Sequence, residues 1–142
     1  MPAASRTIEI AAPIETVFAF FTDPSKDPTW RRGVKEMRAE GAPAGGAIVH
    51  QVVAGPGGRA ITADIRITEY VVPRRYAFVT IAGPVRPVGS YTFAGTPAGT
   101  SVTFTLSAEV TGVKKLLMGG AVQKSMDAEM AALDKAKALL ES

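Results

Sequence analysis

Hydrophobic and polar positions change their spacing three times along this chain. Thr7-Ile8-Glu9-Ile10 alternates and predicts a first strand, ended by Ala11-Ala12-Pro13. Proline suits the first turn of a helix, where its missing N–H costs nothing. Behind Pro13, Ile14, Val17, Phe18 and Phe21 fall at i, i+3, i+4 and i+7, one apolar helical face. Asp23-Pro24 stops that helix and starts a second, short one that carries Trp30.

From Val34 the spacing becomes that of strands. Gly41-Ala42-Pro43-Ala44-Gly45-Gly46 separates Val34–Glu40 from Ala47–Ala54, and Gly55-Pro56-Gly57-Gly58 joins the latter to Arg59–Val71 as a hairpin. Ile61, Ala63, Ile65 and Ile67 take one face of that strand, and Thr62, Asp64, Arg66 and Thr68 the other. One face is dry and one is wet, the pattern of an antiparallel sheet covered on a single side. Tyr76–Ala82, Val88–Ala94 and Thr100–Val110 follow at roughly ten-residue spacing between turns at Pro73-Arg74-Arg75, Gly83-Pro84 and Gly95-Thr96-Pro97-Ala98-Gly99. In the last of them Val102, Phe104, Leu106, Ala108 and Val110 share a face. These strands read as a meander of up-and-down neighbours.

The C-terminal third is helical again. Val122, Met126, Met130, Leu133, Ala136 and Leu140 form an apolar stripe, with Lys124, Asp127, Asp134, Lys135 and Glu141 away from it. The helix can begin as early as Val113, which makes Gly119-Gly120 a weak point or kink. The expected order is one strand, two helices, six strands and one long helix. A sheet with one greasy face needs a cover, and the C-terminal helix is the element long enough to supply it.

Composition narrows the class without changing this outline. At 142 residues the chain has the length of one ordinary domain, spanning residues 1–142, and its 46% hydrophobic and 20% charged content is globular. With no cysteine there is no disulfide, thiolate metal site or cysteine nucleophile, which fits a cytoplasmic setting. No signal peptide is visible at Met1–Thr7, and no apolar window reaches the ~20 residues of a membrane span. The net charge is +3. Its basic residues, among them Arg31, Arg32, Lys35, Arg38, Arg59, Arg66, Arg74, Arg75, Arg86, Lys114 and Lys115, are scattered. They read as a solubilising surface and not as a nucleic-acid footprint. Clustering of Arg31, Arg32, Lys35, Arg74 and Arg75 would instead favour a larger partner.

The run Ile8-Glu9-Ile10-Ala11-Ala12-Pro13-Ile14-Glu15-Thr16-Val17-Phe18 resembles the opening of the START-like (SRPBCC) superfamily, in its polyketide cyclase/dehydrase and lipid-transport branch. Asp23-Pro24, Trp30, Thr68-Glu69-Tyr70 with Pro73-Arg74-Arg75, and Gly99-Thr100-Ser101-Val102-Thr103-Phe104 extend the resemblance over essentially the whole chain. It implies an α+β helix-grip fold (Bet v 1-like, START-like). In that fold a seven-stranded antiparallel sheet wraps around a long C-terminal helix, with two short helices after strand 1. It also implies uses from carriers of lipids, sterols or aromatic compounds to polyketide aromatases and cyclases, among which fold alone does not choose.

Candidate chemistry is sparse. His50 is the sole histidine and the obvious acid–base group, but it sits in Ile48-Val49-His50-Gln51-Val52-Val53, where both faces are partly apolar and its direction is open. A surface or merely packed strand histidine is the plainer reading. A lone histidine without nearby carboxylates in sequence does not make a metal site, and no cofactor is expected. Tyr91 is the better pocket residue, since a buried phenol wants a partner. Phe78, Phe93, Phe104, Ile65 and Ile67 lie on faces assigned inward, where each is either core or ligand wall. Met118, Met126 and Met130 give the closing helix an adaptable surface, or simply fill the core. The resemblance puts Trp30 against the sheet near a cavity entrance, where packing is the safer role. Arg86 reads as a solvated loop arginine, and Asp64, Arg66 and Glu109 as solvent-facing.

An aromatase or cyclase needs several polar groups converging in its cavity, and the inward faces look nearly all aliphatic or aromatic. The preferred expectation is a binder, monomeric or homodimeric, of a small hydrophobic molecule such as a lipid, isoprenoid or polyketide-like compound. The alternative is a polyketide aromatase, cyclase or dehydratase using the same cavity, with His50 or Tyr91 as proton carrier.

Overall fold

The computed structural model describes residues 2–109 and 112–142, with side chains described at all of these except Pro56 and residues 112–119. Among the described residues eight strands and three α-helices follow one another as β1 (Ala3–Ile10), α1 (Ile14–Thr22), α2 (Asp27–Trp30), β2 (Val34–Ala39), β3 (Ile48–Ala54), β4 (Ala60–Thr62), β5 (Ile65–Val71), β6 (Arg75–Thr80), β7 (Val88–Thr96), β8 (Gly99–Ser107) and α3 (Gly112–Glu141). A 3₁₀ turn, Pro24–Lys26, precedes α2, its Asp23 side chain accepting from the Ser25 N–H at 3.0 Å. The strands form one antiparallel sheet in the order β1-β8-β7-β6-β5-β3-β2, with β4 beside β3.

Several expected boundaries move, among them the end of the last strand, which lies at Ser107, while Val110 is outside the described residues. β1 starts at Ala3 and not Thr7, because Ala3–Arg6 pair with Phe104–Ser107 of β8. The expected strand Arg59–Val71 is two strands, so the sheet has eight segments where seven were expected. The cause is Asp64. Its carboxylate accepts from the Gln51 N–H at 3.1 Å, a place a ladder carbonyl ordinarily fills. The Gln51 side chain in turn donates to the Ala63 carbonyl at 2.9 Å. Pairing resumes on both sides in the same register, Val49 opposite Ile65 and Val53 opposite Ile61, so the inward face is kept.

α3 runs as one element through Gly119-Gly120 and packs closest to β1 and α2. Its stripe is inward as the spacing predicts: Met126, Met130, Leu133 and Ala136 are buried, whereas Lys124, Asp127, Asp134 and Lys135 are exposed. Arg6 ties β1 to it, donating to the Met130 carbonyl at 2.9 Å and pairing with Asp134. α1 plugs one end of the curled sheet, where Phe18 meets Phe93 edge-on at 5.2 Å between ring centres. Among the described residues no helix is long and apolar enough to cross a membrane.

Candidate functional site

Between the inner faces of β3–β8 and the 121–129 stretch of α3 lies a cavity of about 500 Å³, within the size range of small-molecule pockets. Strand alternation supplies most of its wall. Ile61, Ala63 and Ile65 face it from β4–β5, Tyr76 and Phe78 from β6, Tyr91 from β7, Phe104 and Leu106 from β8, and Val122 and Met126 from α3. The Tyr91 and Phe104 rings stack at 4.2 Å and within 4° of parallel, making a flat floor. Gly89 stands opposite Phe78, and a Cβ there would meet the Phe78 ring at 2.3 Å. That missing side chain is what lets the ring lie across β7.

One part of the wall is ionic. Arg31, just past the end of α2, turns inward. Its Nη1 donates to Asp27 Oδ2 at 2.9 Å and to Gln51 Oε1 at 2.8 Å. Nε and Nη2 donate to the two carboxylate oxygens of Glu129 on α3 at 2.8 and 3.0 Å, the side-on fork a guanidinium offers a carboxylate. All four residues border the cavity. Asp27 Oδ1 is left enclosed without a partner, as is Trp30 Nε1.

Burial sets the protonation states here. Desolvation pushes Asp27 up to about 6, with Arg31 pulling against it. For Arg31 burial alone would lower the pKa, but Glu129 and Asp27 outweigh it and the guanidinium stays charged. Burial also pushes the Tyr76 and Tyr91 phenols up, so both are neutral hydrogen-bonding groups at neutral pH.

The expected site residues divide. Ile65, Phe78, Tyr91, Phe104 and Met126 border the cavity. Ile67, Phe93, Met130 and Trp30 are buried in the solid core beside it, Trp30 edge-on against Phe21 at 5.4 Å. The Met118 side chain lies outside the described residues. His50 is on the other face of β3, because Gln51 and Val53 take the inward positions. There its Nδ1 meets Asp64 at 3.0 Å and its Nε2 meets Glu40 at 2.7 Å. Neither carboxylate is near in sequence, and both raise its pKa, Asp64 most. Asp64, expected to face solvent, is thus half-covered, while Arg66, Arg86 and Glu109 are exposed.

The largest departure concerns polarity. Arg31 was expected among scattered surface charges, and the cavity was expected to hold few polar groups. Folding instead gathers Asp27, Arg31, Gln51, Glu129, Tyr76 and Tyr91 along its wall. Two signals for this are present in the sequence. Asp27 and Arg31 are spaced i, i+4, and Glu129 sits three residues after Met126 and four before Leu133, on the apolar stripe itself.

The family model described as polyketide cyclase / dehydrase and lipid transport matches residues 1–141. No curated protein sequence matches. Among solved structures, a START superfamily protein from Mycobacterium smegmatis is 20% identical, with 98% of this chain and 97% of that one covered and a TM-score of 0.76. A protein from Thermus thermophilus is 21% identical over 96% and 93%, with the same TM-score of 0.76. The di-domain aromatase/cyclase StfQ of the steffimycin biosynthetic pathway is 16% identical, with 98% of this chain and 50% of that one covered and a TM-score of 0.79. At such identities the structures attest the fold, the helix-grip arrangement of curled sheet and long C-terminal helix, whereas the sequence model spans the chain. The chain belongs to the polyketide cyclase / dehydrase and lipid transport family.

Proposed function

We propose that this protein binds, and carries, a small hydrophobic or aromatic molecule in the cavity between sheet and α3. The observation that carries this reading is the unfilled space of about 500 Å³ under a wall of aliphatic and aromatic side chains. A core whose only task was stability would close such a space, since each unfilled volume forfeits packing energy. The stacked Tyr91 and Phe104 rings suit a flat ligand, and Met126 adapts to its outline. Lipid, isoprenoid and polyketide-like compounds all fit this description.

The test is fluorescence titration with the uncharged probe N-phenyl-1-naphthylamine, comparing the natural chain with Ala63→Phe, which puts a ring into the cavity. Saturable enhancement that weakens at least about tenfold in the variant is expected; about 1.4 kcal/mol corresponds to that factor. No saturation, or equal binding by the variant, would remove the cavity from the function.

A cyclase or dehydratase remains the second reading. The convergence of Asp27, Arg31, Glu129 and the two phenols in one wall favours it, because such chemistry needs groups that polarise carbonyls and hold protons. His50 has no place in that mechanism, being on the opposite face. Tyr91 has one.

A further inference from the structure

The charge of the polar wall goes further than the size of the cavity, and resting on the binding reading above, it selects among ligands. Among the described residues bordering the cavity the ionised groups are two carboxylates, Asp27 and Glu129, and one guanidinium, Arg31. The wall is therefore net negative. Arg31 is largely committed: four of its five N–H groups donate to Asp27, Gln51 and Glu129. A ligand carboxylate or phosphate would have to break those contacts or enter beside two like charges, and either costs affinity in a low-dielectric space.

A cation fares little better. Both Glu129 oxygens and Asp27 Oδ2 are held by Arg31, and Asp27 Oδ1 is enclosed beyond the reach of solvent. A buried ammonium would lose its hydration and gain only acceptors it must share with Arg31, since the one unpaired oxygen, Asp27 Oδ1, is enclosed. What the wall does offer is neutral hydrogen bonding, from the Tyr76 and Tyr91 phenols, Thr80 and Ser125.

We propose that the cavity accepts uncharged hydrophobic molecules bearing a hydroxyl or carbonyl group and rejects organic acids and amines of the same size and shape. The ion cluster then works as a filter on ligand charge, held rigid by its own pairing and not consumed in binding.

The experiment is displacement of N-phenyl-1-naphthylamine by three matched competitors, 4-hexylphenol, 4-hexylbenzoate and 4-hexylbenzylamine, at about pH 7.5, where the second is an anion and the third a cation. The phenol is expected to displace the probe at least about tenfold more tightly than either ion. Glu129→Gln, and separately Asp27→Asn, each remove one negative charge, and each is expected to strengthen the benzoate relative to the phenol. The phenol comparison within one folded protein does not depend on either variant folding. Benzoate or benzylamine binding as tightly as the phenol would overturn the charge filter and leave the binding reading intact. Failure of the probe itself to bind would instead remove the binding reading.

Discussion

The interior of this protein has a filled end and a hollow end, built from the same alternating strands. At the filled end α1 inserts Val17, Phe18 and Phe21 into the curl of the sheet, against Ile10, Phe93, Val102 and Leu133, all nearly inaccessible. At the hollow end, among the described residues, α1 and α2 contribute only Phe21 and Asp27 to the wall, and α3 spans the opening. The strands present inward side chains of the same kind at both ends. What differs is whether a second layer reaches them. A dry strand face therefore says that something covers it, and the covering element decides between core and cavity.

The difference is easiest to break by truncation. Phe93→Ala, in the filled end, is expected to cost about 3–5 kcal/mol in urea denaturation, because tight neighbours relax little around the hole. Phe78→Ala, whose ring already borders open space, is expected to cost no more than about 2 kcal/mol, on the same reasoning about transfer and cavity terms. Equal losses would mean the hollow end is packed in solution.

Acid titration sharpens the contrast. Asp27 rises from 3.8 in the unfolded chain to about 6 in the folded one. Below the lower value the carboxyl is protonated in both states and exacts no penalty. As pH rises toward the upper value the unfolded chain ionises first, so folding loses stability, on the order of 3 kcal/mol by about pH 7 for that shift. Asp27→Asn does not titrate there. Between pH ~4 and pH ~7 its stability is expected to gain on the natural chain's by this amount, measured by denaturation at both pH values. A gap that stays flat or shrinks would show that Arg31 neutralises the burial.

The smallest expected effect lies outside. Asp64 and Glu40 raise the pKa of His50 above 6.5, so its stabilising contacts are present below that value and fade as pH climbs through the folded one. An NMR titration of the one imidazole is expected to find its midpoint above 6.5. A midpoint at or below it would mean the two carboxylates do not hold the ring in solution.

Much of the frame was legible in the sequence. The face of Ile61, Ala63 and Ile65 and the stripe of Met126, Met130 and Leu133 follow from period alone, and each points inward in the structure. The helix-grip outline followed from the need to cover a greasy sheet and from the resemblance that Ile8–Phe18 carries. Less visible was which inward residues meet empty space. Phe78 and Phe93 have the same pattern, and only the position of α1 separates them. The ionic wall was hidden for another reason. Arg31 and Glu129 each look like surface charges when taken singly, and their burial makes sense only once the fold brings them to 2.8 Å. His50 was ambiguous because Val49 and Gln51 on one side of the strand and Val52 on the other leave no clean alternation.

The Asp64 interruption of the ladder has a consequence for how such a protein changes over generations. Asp64 holds His50 on the outer surface with one oxygen and the Gln51 backbone with the other, and Gln51 reaches through to Arg31. Outside and inside are thus coupled across a single layer of backbone. A substitution at position 64 is therefore expected to shift Gln51, which borders the cavity, so drift on the exterior can reach the interior while the wall residues themselves stay unchanged.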